Sequence, residues 1–170
     1  MDLTKKNVLA IVSFAIVVLG FVVSLFASGK ITIDGGYTGD TVYKISSIVW
    51  GAEKVTRTSY SGESFMLIGA HPLSIMGVGS VVALLSGALF TFAIISANEK
   101  KGFFAFGVII ILAGVMMFLF KNRISGIAQN ELMIDYDDIK SVGSGGCVFS
   151  GILYVAGGIV SIISSFLEDY

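Results

Sequence analysis

Four uninterrupted apolar runs, separated by polar stretches of very unequal length, set the pattern of this chain. The runs cover residues 7–27, 72–96, 103–120 and 147–167, and none contains an acidic or basic residue. A helix rises 1.5 Å per residue, so about 20 apolar residues cross a hydrocarbon core of roughly 30 Å. The third run, at about 18 residues, is near the lower limit for crossing. The pattern predicts a single all-α integral membrane domain over residues 1–170. It is a four-transmembrane-helix bundle with a small β-containing extracellular loop subdomain.

The polar stretches differ in kind. Residues 28–70 hold three runs rich in β-branched and aromatic residues, at 31–33, 41–50 and 55–60. Asp34-Gly35-Gly36, Gly51 and Ser61-Gly62 punctuate them as turns. An antiparallel sheet of two to four strands resting on the helix ends is expected. Residues 65–68 (FMLI) are expected to begin the descent into the membrane. The link at 97–102 is so short that the second and third spans must be antiparallel neighbours. The outer loop at 121–146 opens with a polar stretch that has no breaker except Gly126, so the third helix is expected to run on to Gln129 or Glu131. Its glycine-rich end, 143–146, reads as a flexible hinge with no strand before the fourth span.

Small residues suggest how the spans pack. Gly79, Ala83, Gly87 and Thr91 recur every four residues and share one helix face. Gly157, Ser161 and Ser165 do the same on the fourth span, with Gly146, Ser150 and Gly158 on an adjacent face. Such stripes let helix backbones approach closely in lipid, where packing drives association. Spans two and four are therefore expected to touch, with the bulkier spans one and three outside. Pro72 would sit in the first turn of span two, where proline is tolerated. Ala27-Ser28-Gly29 resembles a signal-peptide cleavage site, but the preceding run is longer than a signal core, which favours an anchored helix.

Composition agrees with the membrane reading. The chain is 55% hydrophobic and only 14% charged, against roughly 25% charged in soluble domains. Its net charge of −1 offers no field to recruit nucleic acid. A single cysteine, Cys147, excludes an internal disulfide. The absence of ionisable residues inside the spans counts against coupled transport and intramembrane proteolysis. It leaves open a passive pore built by oligomerisation.

Candidate chemistry is sparse. His71 is the only histidine, near the membrane boundary with Glu63 eight positions earlier, and nothing around it resembles a nucleophile elbow or a metal-ligand set. Asp135, Asp137 and Asp138, with Glu131, offer clustered oxygens of the kind calcium uses, but their spacing is not that of an EF-hand loop. A solvated acidic loop is the simpler reading. Cys147 is juxtamembrane, where acylation occurs, although a buried inert thiol is the default. Tyr37, Tyr43, Trp50 and Tyr60 are candidate partner contacts, with packing of the loop's own core as the competing role. No cofactor is implied.

The order of parts resembles the claudin and peripheral-myelin-protein type of four-span protein. That order is a span, a long β-prone outer loop, a span, a tiny inner turn, a span, a shorter outer loop and a span. The family's first loop carries W…GLW…C…C. Here Trp50 is followed by Gly51, and there is no Gly-Leu-Trp and no cysteine pair. The resemblance implies lateral association in the membrane and contacts through the first loop. Lys5, Lys6, Lys100 and Lys101 flank short segments on one side, which favours both termini in the cytoplasm, although Lys121 and Arg123 oppose this. The expected protein is a non-enzymatic, multi-pass cell-membrane protein. It would act as an interaction, accessory or scaffold subunit through its outer loops. Its partners would be the lipid bilayer and another membrane protein or a second copy of itself, and not nucleic acid. The alternatives are a homo-oligomeric small-solute channel and, behind it, a membrane-surface enzyme using His71 and Glu63.

Single cysteines placed at Ser28, Ser61 and Ser141 are expected to label from one side of the membrane, and one at Asn98 from the other. Labelling of Asn98 from the same side as Ser28 would overturn the topology.

Overall fold

The computed structural model describes residues 5–51, 54–68, 73–96 and 103–167. It is mostly helical, with one small antiparallel sheet. Helix α1 spans Lys5–Leu25, α2 Ile75–Ser96, α3 Phe104–Met116, α4 Phe120–Glu131 and α5 Gly145–Phe166. A 3₁₀ turn, Met117–Leu119, joins α3 to α4, so the two form one 28-residue helical rod. This rod and α1, α2 and α5 are four helices long and apolar enough to cross a membrane. Ser74 caps α2: its hydroxyl accepts from the Gly77 N–H at 3.2 Å and donates to the Val49 carbonyl at 2.6 Å. The helix thus begins at Ile75 rather than at 72. Pro72 and His71 lie outside the described residues.

Helix α5 packs between α1 and α3, and α2 does the same on the opposite side, so α2 and α5 meet only across the bundle diagonal. The expected contact between spans two and four is therefore replaced by contacts of each with spans one and three. Gly79 faces Ala113 and Met116 of α3, and Gly87 faces Phe14 and Val17 of α1. Thr91 donates to the Ala10 carbonyl of α1 at 3.2 Å and also to Gly87 in its own helix at 2.9 Å. Ala83 is fully buried. On α5, Gly157 faces Val17 and the Ser13 carbonyl. Ser13 donates to the Gly157 carbonyl at 2.8 Å, and its hydroxyl lies 2.6 Å from that of Ser161. Ser165 turns back to the Ile162 carbonyl of its own helix. As expected from their bulk, α1 and the α3–α4 rod are the less buried pair. Yet each presents small residues to α5, Ser13 and Gly20 from α1 and Gly107 and Gly114 from α3.

The tightest seam is one that the four-residue stripes do not show. A Cβ on Gly107 would lie 2.7 Å from the Gly158 carbonyl oxygen, and one on Gly158 would lie 2.6 Å from that of Gly107. Gly114 and Gly151 oppose each other in the same way, at 2.8 and 3.0 Å. The two glycine pairs are seven residues apart on both helices, so the backbones of α3 and α5 touch at two successive crossings.

The sheet has five strands in the order β4-β3-β2-β1-β5. They are β1 Gly29–Ile33, β2 Thr41–Ile45, β3 Lys54–Ser59, β4 Gly62–Leu67 and β5 Ile139–Gly143. Three differences from the sequence pattern have local causes. The run at 41–50 is strand only to Ile45. Ser47 then takes a positive φ of 53°, and a tight turn seats Ile48 and Val49 in the core. Residues 65–67 do not descend but complete β4, an edge strand paired with β3 from Lys54↔Leu67 to Ser59↔Gly62. The 143–146 stretch is no hinge. Gly143 ends β5, Ser144 accepts from the Cys147 N–H, and α5 starts at Gly145.

One core runs without a break from bundle to sheet. Val17, Ala83, Ile110, Met117 and Tyr154 fill the bundle. Ile124, Ile127 and Ala128 of α4 continue it upward to Ile31, Ile45 and Val55 on the inner sheet face. Gly29 lies directly over Ile124, where a Cβ would come within 2.7 Å of its side chain.

Gly158→Ala should destabilise the protein by about 1–3 kcal/mol, because the new methyl meets a backbone carbonyl that cannot step aside. Gly126→Ala, where a Cβ meets nothing within 4 Å, should gain up to about 1 kcal/mol of helix propensity. Thermal unfolding in detergent micelles separates the two. Equal stability would reject the seam.

Candidate interaction surface

The strand directions sort the sheet into two ends. β1 leaves α1 through three residues, and β5 enters α5 through Ser144 alone, so the Gly29 and Gly143 ends lie next to the helices. The β1–β2 link, the β3–β4 hairpin and the turn before β5 all lie at the far end. Tyr37, in the 3₁₀ turn Gly36–Thr38, and Tyr60, in the hairpin, are almost fully solvated at 111% and 93% relative exposure. Tyr136 joins them there from the turn Tyr136–Asp138 and is also exposed. The sequence reading did not single it out. Its signal was only the acidic turn in which it sits.

The other two aromatic candidates are packing residues in this fold. Trp50 is half-buried, and its ring meets Phe21 of α1 edge-on with centroids 5.4 Å apart. Tyr43 points to the inner face and carries the Arg57 guanidinium 5.9 Å above its ring. Asp135, Asp137 and Asp138 are exposed around their turn. Among the described residues, no three histidine, cysteine or acidic side chains converge as a metal site. Glu63 lies on β4, where it accepts from Thr58 at 3.4 Å. Its suggested partner His71 lies outside the described residues. Cys147 is buried in the first turn of α5.

An ion pair straps the two sheet-forming loops together. Lys140 of β5 donates to both oxygens of Asp40, which precedes β2, at 2.9 and 3.1 Å. The hydrogen bond and the charge of Asp40 hold the Lys140 ammonium above its ordinary pKa. The pair's contribution is therefore complete below the usual lysine range and fades as pH climbs through the raised value.

No known protein family matches the sequence, and no curated protein is detectably similar to it.

In Asp40→Asn, the Lys140 ammonium should titrate at lower pH than in the native chain, as read from its ¹³Cε resonance. An unchanged titration would show that the strap does not persist in solution.

Proposed function

We propose that the four long helices cross a cell membrane and that the protein works as a non-enzymatic interaction or accessory subunit through its folded outer loops. One observation carries this reading: both outer loops merge into a single five-stranded sheet built onto α4. A connection between antiparallel helices needs only a few residues. Here the loops form a domain cap whose far rim presents Tyr37, Tyr60 and Tyr136 to solvent. Tyrosine gives a large contact area at low entropic cost and is enriched at interfaces. The claudin-type order of parts supports the same reading, since it implies lateral association and contacts through the first loop.

The positions of Lys5 and Lys6 in the first turn of α1 favour termini in the cytoplasm and the sheet outside. The rod of α3 and α4 fits such a placement. Its 28 residues measure roughly 42 Å at 1.5 Å each, longer than a hydrocarbon core of about 30 Å. The surplus is the polar α4 end that carries the sheet. A channel within one copy is disfavoured, because Val17, Ala83, Met117 and Tyr154 close the bundle axis. Conduction would require several copies around a shared axis.

The triple variant Tyr37→Ala/Tyr60→Ala/Tyr136→Ala should keep its thermal stability in mild detergent and lose co-purifying partner by about tenfold or more, the scale of an interface anchor. Full partner recovery would remove the rim from the reading. Solute flux through proteoliposomes that survives the triple variant would put the channel in its place.

A further inference from the structure

The outer face of the sheet separates charge by height. Lys54, Lys44 and Lys30 sit within the first three rungs next to the helices, on β3, β2 and β1. At the antiparallel spacing of about 3.4 Å per residue, they span roughly 7 Å of height. The carboxylates Asp34, Asp40, Asp137 and Asp138 stand at the far end. Lys30 and Lys44 are direct cross-strand partners on this one face. Like charges placed opposite each other are destabilising in a ladder, and no carboxylate among the described residues pairs with either of them. Lys54 lies over the Phe65 ring at 4.6 Å. The two lysines border an open groove of about 540 Å³ whose lower rim is Ser28 and Ser144, the links to α1 and α5. Its one carboxylate, Glu63, is at the distal end beside Thr58.

We infer that this groove binds the headgroup phosphate of an anionic phospholipid from the adjacent leaflet. Position favours a lipid over a protein carboxylate. The lysines flank the ends of the apolar helices, and Phe26, 80% exposed, marks the apolar border just below Ser28. Lysine stems lie along apolar surface while their ammonium groups reach the phosphate level. The bound phosphate supplies the countercharge that the Lys30–Lys44 pair lacks. The inference rests on the proposal that the helices cross a bilayer, and the test treats the two separately.

Full-length protein is first reconstituted into phosphatidylcholine vesicles and washed with carbonate; loss from the vesicles would reject spanning itself. Headgroup-labelled phosphatidylglycerol is then titrated against the protein in neutral detergent micelles. A basic residue at an anionic surface contributes about fivefold to affinity, so Lys30→Gln/Lys44→Gln should weaken binding roughly 25-fold. Lys121→Gln/Lys140→Gln removes the same charge elsewhere and should change it little. Thermal melting confirms that both variants are folded. Equal weakening in the two variants, or no binding by the native chain, would overturn the site. So would displacement of the lipid by an equal concentration of inorganic phosphate or of a glutamate-rich peptide, either of which would reassign the groove to a free anion or to an acidic protein.

Discussion

The close contact of α5 with both α1 and α3 is the constraint from which the rest of the architecture follows. In the lipid surrounding proposed for these helices, burying more apolar surface gains little, so van der Waals contact and interhelical hydrogen bonds decide the neighbours. Against α3, α5 offers glycine to glycine, with backbone carbonyls where a methyl would otherwise stand. Against α1 it offers hydroxyls. Ser150 donates to the Gly20 carbonyl at 2.7 Å and Ser164 to that of Lys6 at 3.0 Å, and Ser13 answers from the other side. At the end opposite the sheet, the Lys6 ammonium donates to the Leu167 carbonyl at the C-terminus of α5, where the helix dipole favours a cation.

That helix adjacency then dictates strand adjacency. β1 leaves α1 and β5 enters α5 through very short links, so neighbouring helices leave these strands side by side. Ile31 pairs with Val142 and Lys30 with Gly143, and this ladder closes the two long interhelical loops into one sheet. The remaining order is then a succession of hairpins outward from β1. A bulge between Thr32 and Ile33 absorbs the mismatch at the far end of the β1–β5 ladder. The α4 extension supplies much of the floor, since Ile31, Ile45 and Val55 on the inner face share one buried cluster with Ile124, Ile127 and Ala128.

Much of this was legible one segment at a time. The four apolar runs, the polar continuation of the third helix to Glu131, and the strands near 31–33 and 55–60 follow from local composition. What depended on partners was not legible. The IKSVG of β5 is too short and too close to glycines to stand out as a strand, and it is one only because β1 lies beside it. FML at 65–67 is equally apolar as a strand or as a membrane entry, and only pairing with β3 decides between them. The small-residue stripes identified close contacts but not between whom. Gly79 and Gly87 lie on one face by spacing, yet one meets α3 and the other α1. The seven-residue spacing shared by Gly107 and Gly114 on one helix and Gly151 and Gly158 on another was the sharper signal, because it matches in both members of an antiparallel pair.

The same division separates the parts that hold the fold from the parts free to serve a partner. Trp50 on Phe21 and the Ile48 N–H on the Ala27 carbonyl, at 3.2 Å, lock the base of the sheet to α1. The turns at Tyr37 and Tyr60 rest instead on local bonds, Thr38 to the Gly35 carbonyl and Ser59 to Ser61. The Asp40–Lys140 pair ties the Tyr37 link only to β5, at the exposed end of the sheet. A residue held only by its own turn can change without disturbing the core, and segments with few buried contacts open at low cost. The core cannot change so freely, because its helix seams are already at backbone contact. Under the proposed function, room for recognition therefore lies at the sheet's far rim and along its lysine-bearing face, with the bundle beneath as their support.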